Sequence, residues 1–318
     1  MKTTSKMLRN RQLKENLTGY LFLGPWLICF LAFTAIPFLT SLVISFTEYD
    51  MLSAPLYTGI ENFERMFTSD DLFWKSLGVT FKFVFTSIPL RLAFALLVAM
   101  ILNRKSRAVP VYRVVYYLPS ILGGSVAVSV MWRYVFNKTG IFNEFLHLIG
   151  ISSEISWISN ANTALGSIVL LFIWQFGSPM LIFLSGLKQI PTSYYEAAEV
   201  DGASGIRRFF KITLPLLSPI IFFNLVMQMI GAFMVFSQAM IITDGGPMNN
   251  TLMYALYLYR QSFAYYKMGY GSAMAWVLLV IIAVFTALIF KSSSMWVFYE
   301  TQINEPKKHR HLKGGEIK

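Results

Sequence analysis

The sequence predicts an all-α integral membrane protein with six transmembrane helices, both termini cytoplasmic, and a cytoplasmic helical loop between helices four and five. Three observations predict it: an apolar composition, six apolar runs of spanning length, and a strong bias in where the basic residues fall. Of 318 residues, 55% are hydrophobic and 14% are charged, against about 25% charged in soluble domains.

The apolar runs lie at 18–46, 77–102, 114–136, 164–187, 212–236 and 272–296. Each is close to the roughly 20 residues that cross a hydrocarbon core as a helix. In lipid every backbone N–H and C=O has to be satisfied within its own segment, so the runs are helices rather than isolated strands. Spread along the whole chain, they leave no room for a separate soluble enzyme domain.

The bases set the orientation. Lys2, Lys6, Arg9, Arg11 and Lys14 precede span one, and Arg104, Lys105, Arg107 and Arg113 link spans two and three. Lys188, Arg207, Arg208 and Lys211 lie between spans four and five, and Lys291 in the last turns of span six is followed by Lys307, Lys308, Arg310, Lys313 and Lys318. Against these nineteen, the opposite loops carry five, Arg65, Lys75, Lys138, Arg260 and Lys267. Such a bias marks the cytoplasmic side and places both termini there. The net charge of +11 is therefore a topology signal, and no nucleic-acid partner is expected.

The basic N-terminus is followed by a long apolar span without an A-x-A-like cleavage site, which predicts a retained first helix. Its Cys29 is the single cysteine, so the chain cannot build a disulfide framework, a zinc cluster or a thiol pair alone; packing is its expected role. The domain reading is a basic N-terminus 1–17, a six-helix body 18–296 and a basic tail 297–318. The body contains a cap loop 47–76, a cytoplasmic loop 191–215 and an external loop 237–271. The cap is acidic, with Asp50, Glu61, Glu64, Asp70 and Asp71, and contains an amphipathic piece from Gly59 to Phe67. The tail serves topology and solvation, with anionic-lipid binding as the sharper alternative. Pro25, Pro37, Pro89, Pro119, Pro179, Pro215 and Pro219 fall in or at the ends of spans and predict kinks.

The loop between spans four and five carries the most information. Thr192 to Val200 favour an amphipathic helix, with Thr192 or Ser193 able to cap it, and Gly202 permits a break. A second helix would then place Ile206, Phe209, Phe210 and Ile212 on one side and Arg207, Arg208 and Lys211 on the other. On amphipathicity alone, a plain connector and a docking element fit equally well.

Glu196-Ala197-Ala198, three residues, Gly202, and later Ile212-Thr213-Leu214-Pro215 resemble, almost position for position, the EAA loop of permease subunits of binding-protein-dependent ABC importers. Further stretches are similar to the carbohydrate-uptake branch of that family. They include Gly59 to Phe63, Tyr116 to Pro119, Trp132 to Asn137, and Thr243-Asp-Gly-Gly246-Pro247 with Thr251, Tyr259, Phe263, Gly269 and Tyr270. Gly205 departs from it, since the family usually has a larger or charged residue there.

The resemblance implies that the loop forms coupling helices seated in a cleft of a cytoplasmic ATPase dimer. Glu196 and Gly202 would be central to that contact, flanked by Ala197, Ala198, Asp201 and Ala203, with Leu214 and Pro215 closing the motif. It also implies a homologous second permease subunit, an extracytoplasmic solute-binding protein, a sugar or oligosaccharide as substrate, and the bacterial cytoplasmic membrane as location. No G-x-x-x-x-G-K-[ST] loop occurs in the chain, so no cofactor is expected here and ATP and Mg fall to the ATPase. With His147 external and His309 and His311 in the tail, metal or Ser-His-Asp catalysis lacks its parts.

Two alternatives stand beside this reading: an ion-coupled secondary carrier, and an ABC permease for glycerol phosphate diesters. Ion coupling usually needs acidic or histidine residues deep in the helices, whereas the spans hold Lys82, Arg91 and Arg133. Arg91 reads either as a helix tie or pore lining, or as a side chain snorkelling or paired to a carbonyl. Sugars are bound by planar polar groups and aromatic faces, which makes Trp174, Gln175, Asn224, Gln228, Phe236 and Gln238 the candidate substrate pathway. The competing reading is that each amide only ties helices together, for about 1 kcal/mol.

Overall fold

The computed structural model describes residues 18–104, 107–152 and 154–298. The basic N-terminus 1–17 with Lys2 to Lys14, the tail from 299 with His309 and His311, and Lys105 lie outside the described residues. Among the described residues, three helices are long and apolar enough to cross a membrane: α1 (Thr18–Ile44), α3 (Asp71–Leu102) and α14 (Met268–Trp296). A short hairpin, β1 (Thr47–Glu48) with β2 (Leu56–Tyr57), and α2 (Glu61–Thr68) separate the first two. The hairpin is antiparallel, with Thr47 opposite Tyr57 and Glu48 opposite Leu56.

The other apolar runs are bent pairs, each long and apolar enough to cross only as the two halves together, so length and composition allow up to six crossings among the described residues. In the first, α4 (Val109–Leu122) meets α5 (Val126–Val135) at 98°. Gly123 and Gly124 follow Pro119, and Ser125 restarts the chain, its Oγ accepting from Val128 N at 3.3 Å. After α6 (Ile141–Leu148), α7 (Ala164–Trp174) and α8 (Gly177–Leu187) meet at 42°. Following α9 (Thr192–Val200), α10 (Gly205–Leu216) and α11 (Ser218–Phe233) meet at 66°, with Pro215 and Pro219 on either side of the break. The short helices α12 (Ser237–Ile242) and α13 (Tyr254–Tyr259) precede α14. Thus the sequence expectation of kinks at prolines becomes, at residues 123–125, a near right-angle turn.

The described chain forms two compact units. One comprises residues up to Gly78 together with Leu252–Ile281. Its core holds Met66, Phe73, Tyr254, Leu256 and Met274, with Phe73 edge-on to Tyr254 at 5.8 Å. Asp70 ties it together: its carboxylate accepts from Tyr257 Oη at 2.7 Å and from Tyr270 Oη, while Arg65 lies over the Tyr270 ring. Cys29 is exposed on α1 rather than packed.

The second unit comprises Val79–Thr251 and the residues from Ile282 onward. Here α4 packs on α8, α8 on α11, and α12 on α5. The α8–α11 contact is close because Gly186 lies against Leu217 and Ile220. Trp132, Phe136, Ile158, Leu171 and Ile242 form one apolar cluster, with Trp174 packed against it.

Candidate functional site

The most distinctive local geometry lies between α9 and α10. Helix α9 starts after an extended Pro191 (φ −60°, ψ 134°) and stops at Gly202, which sits in the left-handed region at φ +69°. Gly202 N donates to Glu199 O at 3.0 Å and Ala203 N to Ala198 O at 2.9 Å. These two bonds are the Schellman pattern, which satisfies the last carbonyls of a helix when a glycine takes the left-handed position. Ser204 then caps α10, its Oγ accepting from Arg207 N at 3.4 Å. The missing side chain of Gly205 does not prevent α10 from starting there.

Two contacts hold the helices as a pair. Arg208 Nη1 lies 3.3 Å from Glu199 Oε2, and Tyr195 Oη lies 2.9 Å from Thr213 Oγ1. The outward face stays open. Glu196, Ala197 and Asp201 are exposed, Ala198 and Ala203 partly so, and no residue of α9 is buried. Val200 is 89% exposed, Ile206 75% and Phe210 59%. An aliphatic and aromatic surface carried on a braced helix pair is the composition of a docking surface. Leu214 and Pro215 do not share that face; they are half-buried and lead into the bend at Leu217.

The six candidate pathway residues separate into distinct environments. Gln175 is buried at the break between α7 and α8, and its Nε2 donates to Gly123 O at 2.9 Å. Its main-chain oxygen, freed by the break, accepts from Ser120 Oγ at 2.9 Å and from the Arg91 guanidinium. Arg91, itself buried, also lies over the Phe172 ring at 4.2 Å from the centroid. Of the two readings of Arg91, the geometry is that of a side chain paired to a carbonyl. Trp174 stacks against Trp132 at 5.7 Å and lines an apolar cavity of about 900 Å³ with Phe94, Tyr116, Pro119 and Phe176. Gln175 is not part of that cavity's lining.

Asn224 is different. It is fully buried on α11, and neither Oδ1 nor Nδ2 has a hydrogen-bond partner among the described residues. Gln228, one turn further along the same helix, is partly exposed, as are Phe236 and Gln238 at the start of α12. A buried amide with both ends unsatisfied costs free energy in an apolar surround.

Several contributors are hard to see in sequence. Ser204 has the signal of a capping residue, a serine three positions before the first bonded amide. Ser120, Tyr195 and Asp70 have none, because their partners lie 55, 18 and up to 200 residues away.

Comparisons with known proteins identify the family. Residues 91–293 match the family described as "Binding-protein-dependent transport system inner membrane component". The chain is 55% identical to the probable ABC transporter permease protein YesP of Bacillus subtilis, over 91% of this chain and 94% of that protein. It is 30% identical to the probable starch degradation products transport system permease protein AmyD of Thermoanaerobacterium thermosulfurigenes, over 86% of this chain and 93% of that one. Its fold is similar to that of a chain in the crystal structure of a bacterial alginate ABC transporter in complex with alginate pentasaccharide-bound periplasmic protein. The TM-score is 0.76 at 20% identity, covering 89% of this chain and 96% of the other.

Proposed function

Because the chain belongs to the family of inner membrane components of binding-protein-dependent transport systems, we propose that it is the permease subunit of an ABC importer for sugars or oligosaccharides. The relative named for starch degradation products and the fold neighbour crystallised with an alginate pentasaccharide support a saccharide as cargo. In this reading the three long helices and three bent pairs cross the bacterial cytoplasmic membrane six times, with both termini and the α9–α10 loop inside. The body 18–296 is one transmembrane domain flanked by basic ends. A second, homologous permease completes the pathway, an ATPase dimer holds ATP and Mg, and an extracytoplasmic binding protein delivers the substrate.

One observation carries the coupling role: the braced pair α9–α10 exposes Val200, Ile206 and Phe210 beside Glu196. A connector needs no exposed apolar surface, whereas a subunit contact does. Small Ala197 and Ala198 let the ATPase approach the helix backbone, and Glu196 presents an acceptor to a donor of the ATPase. ATP closure then acts on Glu196 to Ala203, and substrate binding acts on the pathway. The two are linked only because each favours one of two pore states. Asn224 is the strongest single pathway candidate: it is fully buried in this conformation, and a pore state that uncovered it would let sugar hydroxyls satisfy both of its unpartnered atoms.

The test is ATPase stimulation by loaded binding protein in the reconstituted transporter. Glu196→Ala and Ala197→Trp are expected to insert and assemble normally yet to lose most of the stimulation. Full stimulation in both variants would refute the coupling role.

A further inference from the structure

The unit formed by residues up to Gly78 with Leu252–Ile281, which holds the cap loop, contains a polar cavity of about 330 Å³ lined by none of the candidate pathway residues. That volume is at the lower end of the roughly 300–1,000 Å³ of small-molecule sites. Its walls come from the hairpin, the first turn of α2, and the turn Tyr265–Lys267 leading into α14.

The cavity is built rather than incidental. Gly269 N donates to Tyr49 O at 3.2 Å, and a Cβ on Gly269 would overlap Thr47 O, so only glycine lets α14 meet the hairpin this closely. Asn62 Nδ2 donates to Ser45 O at 3.0 Å and Thr47 O at 2.9 Å, fixing α2 against the same strand. The turn is closed by Tyr265 N to Arg260 O and Lys267 N to Gln261 O, both at 2.8 Å. Within it Tyr266 is held at φ +58°, a left-handed conformation that L residues adopt at a cost and that clusters at ligand sites.

The lining selects a ligand class. Glu48, Asp50 and Glu61 face Arg65 and Lys267, an arrangement that suits neither an anion nor a lone cation. The side chains of Glu48, Glu61 and Lys267 have no hydrogen bond or ion pair among the described residues, so both acceptors and a donor remain available. Four tyrosines, Tyr49, Tyr265, Tyr266 and Tyr270, add apolar faces. Carboxylates that accept, an ammonium that donates and phenol rings that stack are what a neutral, polyhydroxylated ring requires.

We propose that this cavity is an external subsite that holds one ring of a neutral saccharide before it enters the membrane pathway. The inference rests on the saccharide reading above and adds a contact site outside the spans. Glu61 and Glu48 accept hydroxyl protons, Lys267 donates to a ring or hydroxyl oxygen, and Tyr266 supplies the stacking face.

The experiment applies the purified full chain, in lipid nanodiscs without binding protein, to immobilised neutral malto-, cello- and galacto-oligosaccharides, uronate-containing glycans and amino-sugar glycans. Wild type is expected to be retained on at least one neutral glycan. Retention should fall by about tenfold or more in Glu61→Gln, the loss of a charged hydrogen bond, and likewise in Tyr266→Gly, which keeps the backbone turn while removing the ring. Cys29→Ser, on the exposed side of α1, should be retained like wild type. Absence of retention, retention confined to charged glycans, or equal retention in both cap variants would overturn the subsite. Stimulation of the ATPase by loaded binding protein is read separately, so a chain that fails the panel while supporting stimulation refutes the subsite alone.

Discussion

Gly202 separates two physical explanations of the α9–α10 loop, and a substitution series distinguishes them. Its φ of +69° forces a left-handed backbone, yet a Cβ added there would meet nothing within 4 Å. Within this chain the whole penalty for a side chain is therefore conformational, about 1–2 kcal/mol for an ordinary L residue. That is a factor of about 5–30 in the equilibrium between the closed and the frayed turn. Asparagine tolerates the left-handed position better than alanine does, so stability should fall in the order Gly, Asn, Ala, Val. Hydrogen exchange measures this directly, because the amides of positions 202 and 203 close the turn on Glu199 O and Ala198 O. ATPase stimulation by loaded binding protein should decline in the same order. If Gly202 mattered only because the ATPase presses against it, size would decide, and the larger Asn would be worse than Ala. That inverted order, or unchanged exchange in Gly202→Ala, would refute the backbone argument.

Arg91→Lys should lower the thermal midpoint of the purified chain more than Arg91→Met. Lysine keeps a buried charge that cannot reproduce the planar contact with Phe172 and the Gln175 carbonyl, whereas with methionine the carbonyl retains Ser120 Oγ; the lysine cost is about 1–3 kcal/mol, read by thermal shift in detergent. Burial first, then the hydrogen bond to Asp70, pushes the Tyr257 phenol above its ordinary range. The folded chain thus keeps a proton that the unfolded chain releases above about pH 10, so this stabilisation is complete below that pH and declines as pH rises further. Alkaline melting curves should show the decline, and Tyr257→Phe should flatten it; an unchanged slope would contradict the assignment. With the exposed Cys29 replaced by serine, a cysteine at Ser193 should be labelled only from the cytoplasm and one at Asn249 only from outside. Reversed labelling would overturn the proposed orientation.

What could be read from the sequence depended on how local the signal was. Apolarity averaged over about 20 residues located the long helices and the bent pairs, since each run carries its own signal. Averages carry no direction, so the 98° turn after Leu122 was marked only by Pro119 and the glycines that follow. The break at Gly202 was legible because a left-handed helix stop has a residue preference of its own. The fate of Gln175 was not, because its amide is used by Gly123 O, a partner 52 residues away. The pathway set chosen by residue type therefore mixed a helix tie, Gln175, with an unsatisfied amide, Asn224, and only the packing separates the two.

That separation bears on how the loop and the pathway can communicate. The exposed α10 and the buried Asn224 lie on consecutive helices that meet at Leu217, which is fully buried. The joint is pinned, since Ser218 Oγ donates to Pro215 O at 2.6 Å and accepts from Phe298 N at 2.8 Å. Pro215 and Pro219 cannot donate backbone hydrogen bonds, so the ladder has a gap on each side of the bend, while Leu217 N still donates to Thr213 O at 3.0 Å and Leu217 O accepts from Ile221 N at 2.9 Å. A joint whose ladder is thinned at two prolines but held by a side chain can change angle without melting either helix, as hinge positions at element ends do. On the proposed coupling role, a push on Glu196 to Phe210 would reach α11, the helix that carries Asn224, as a change of angle at Leu217.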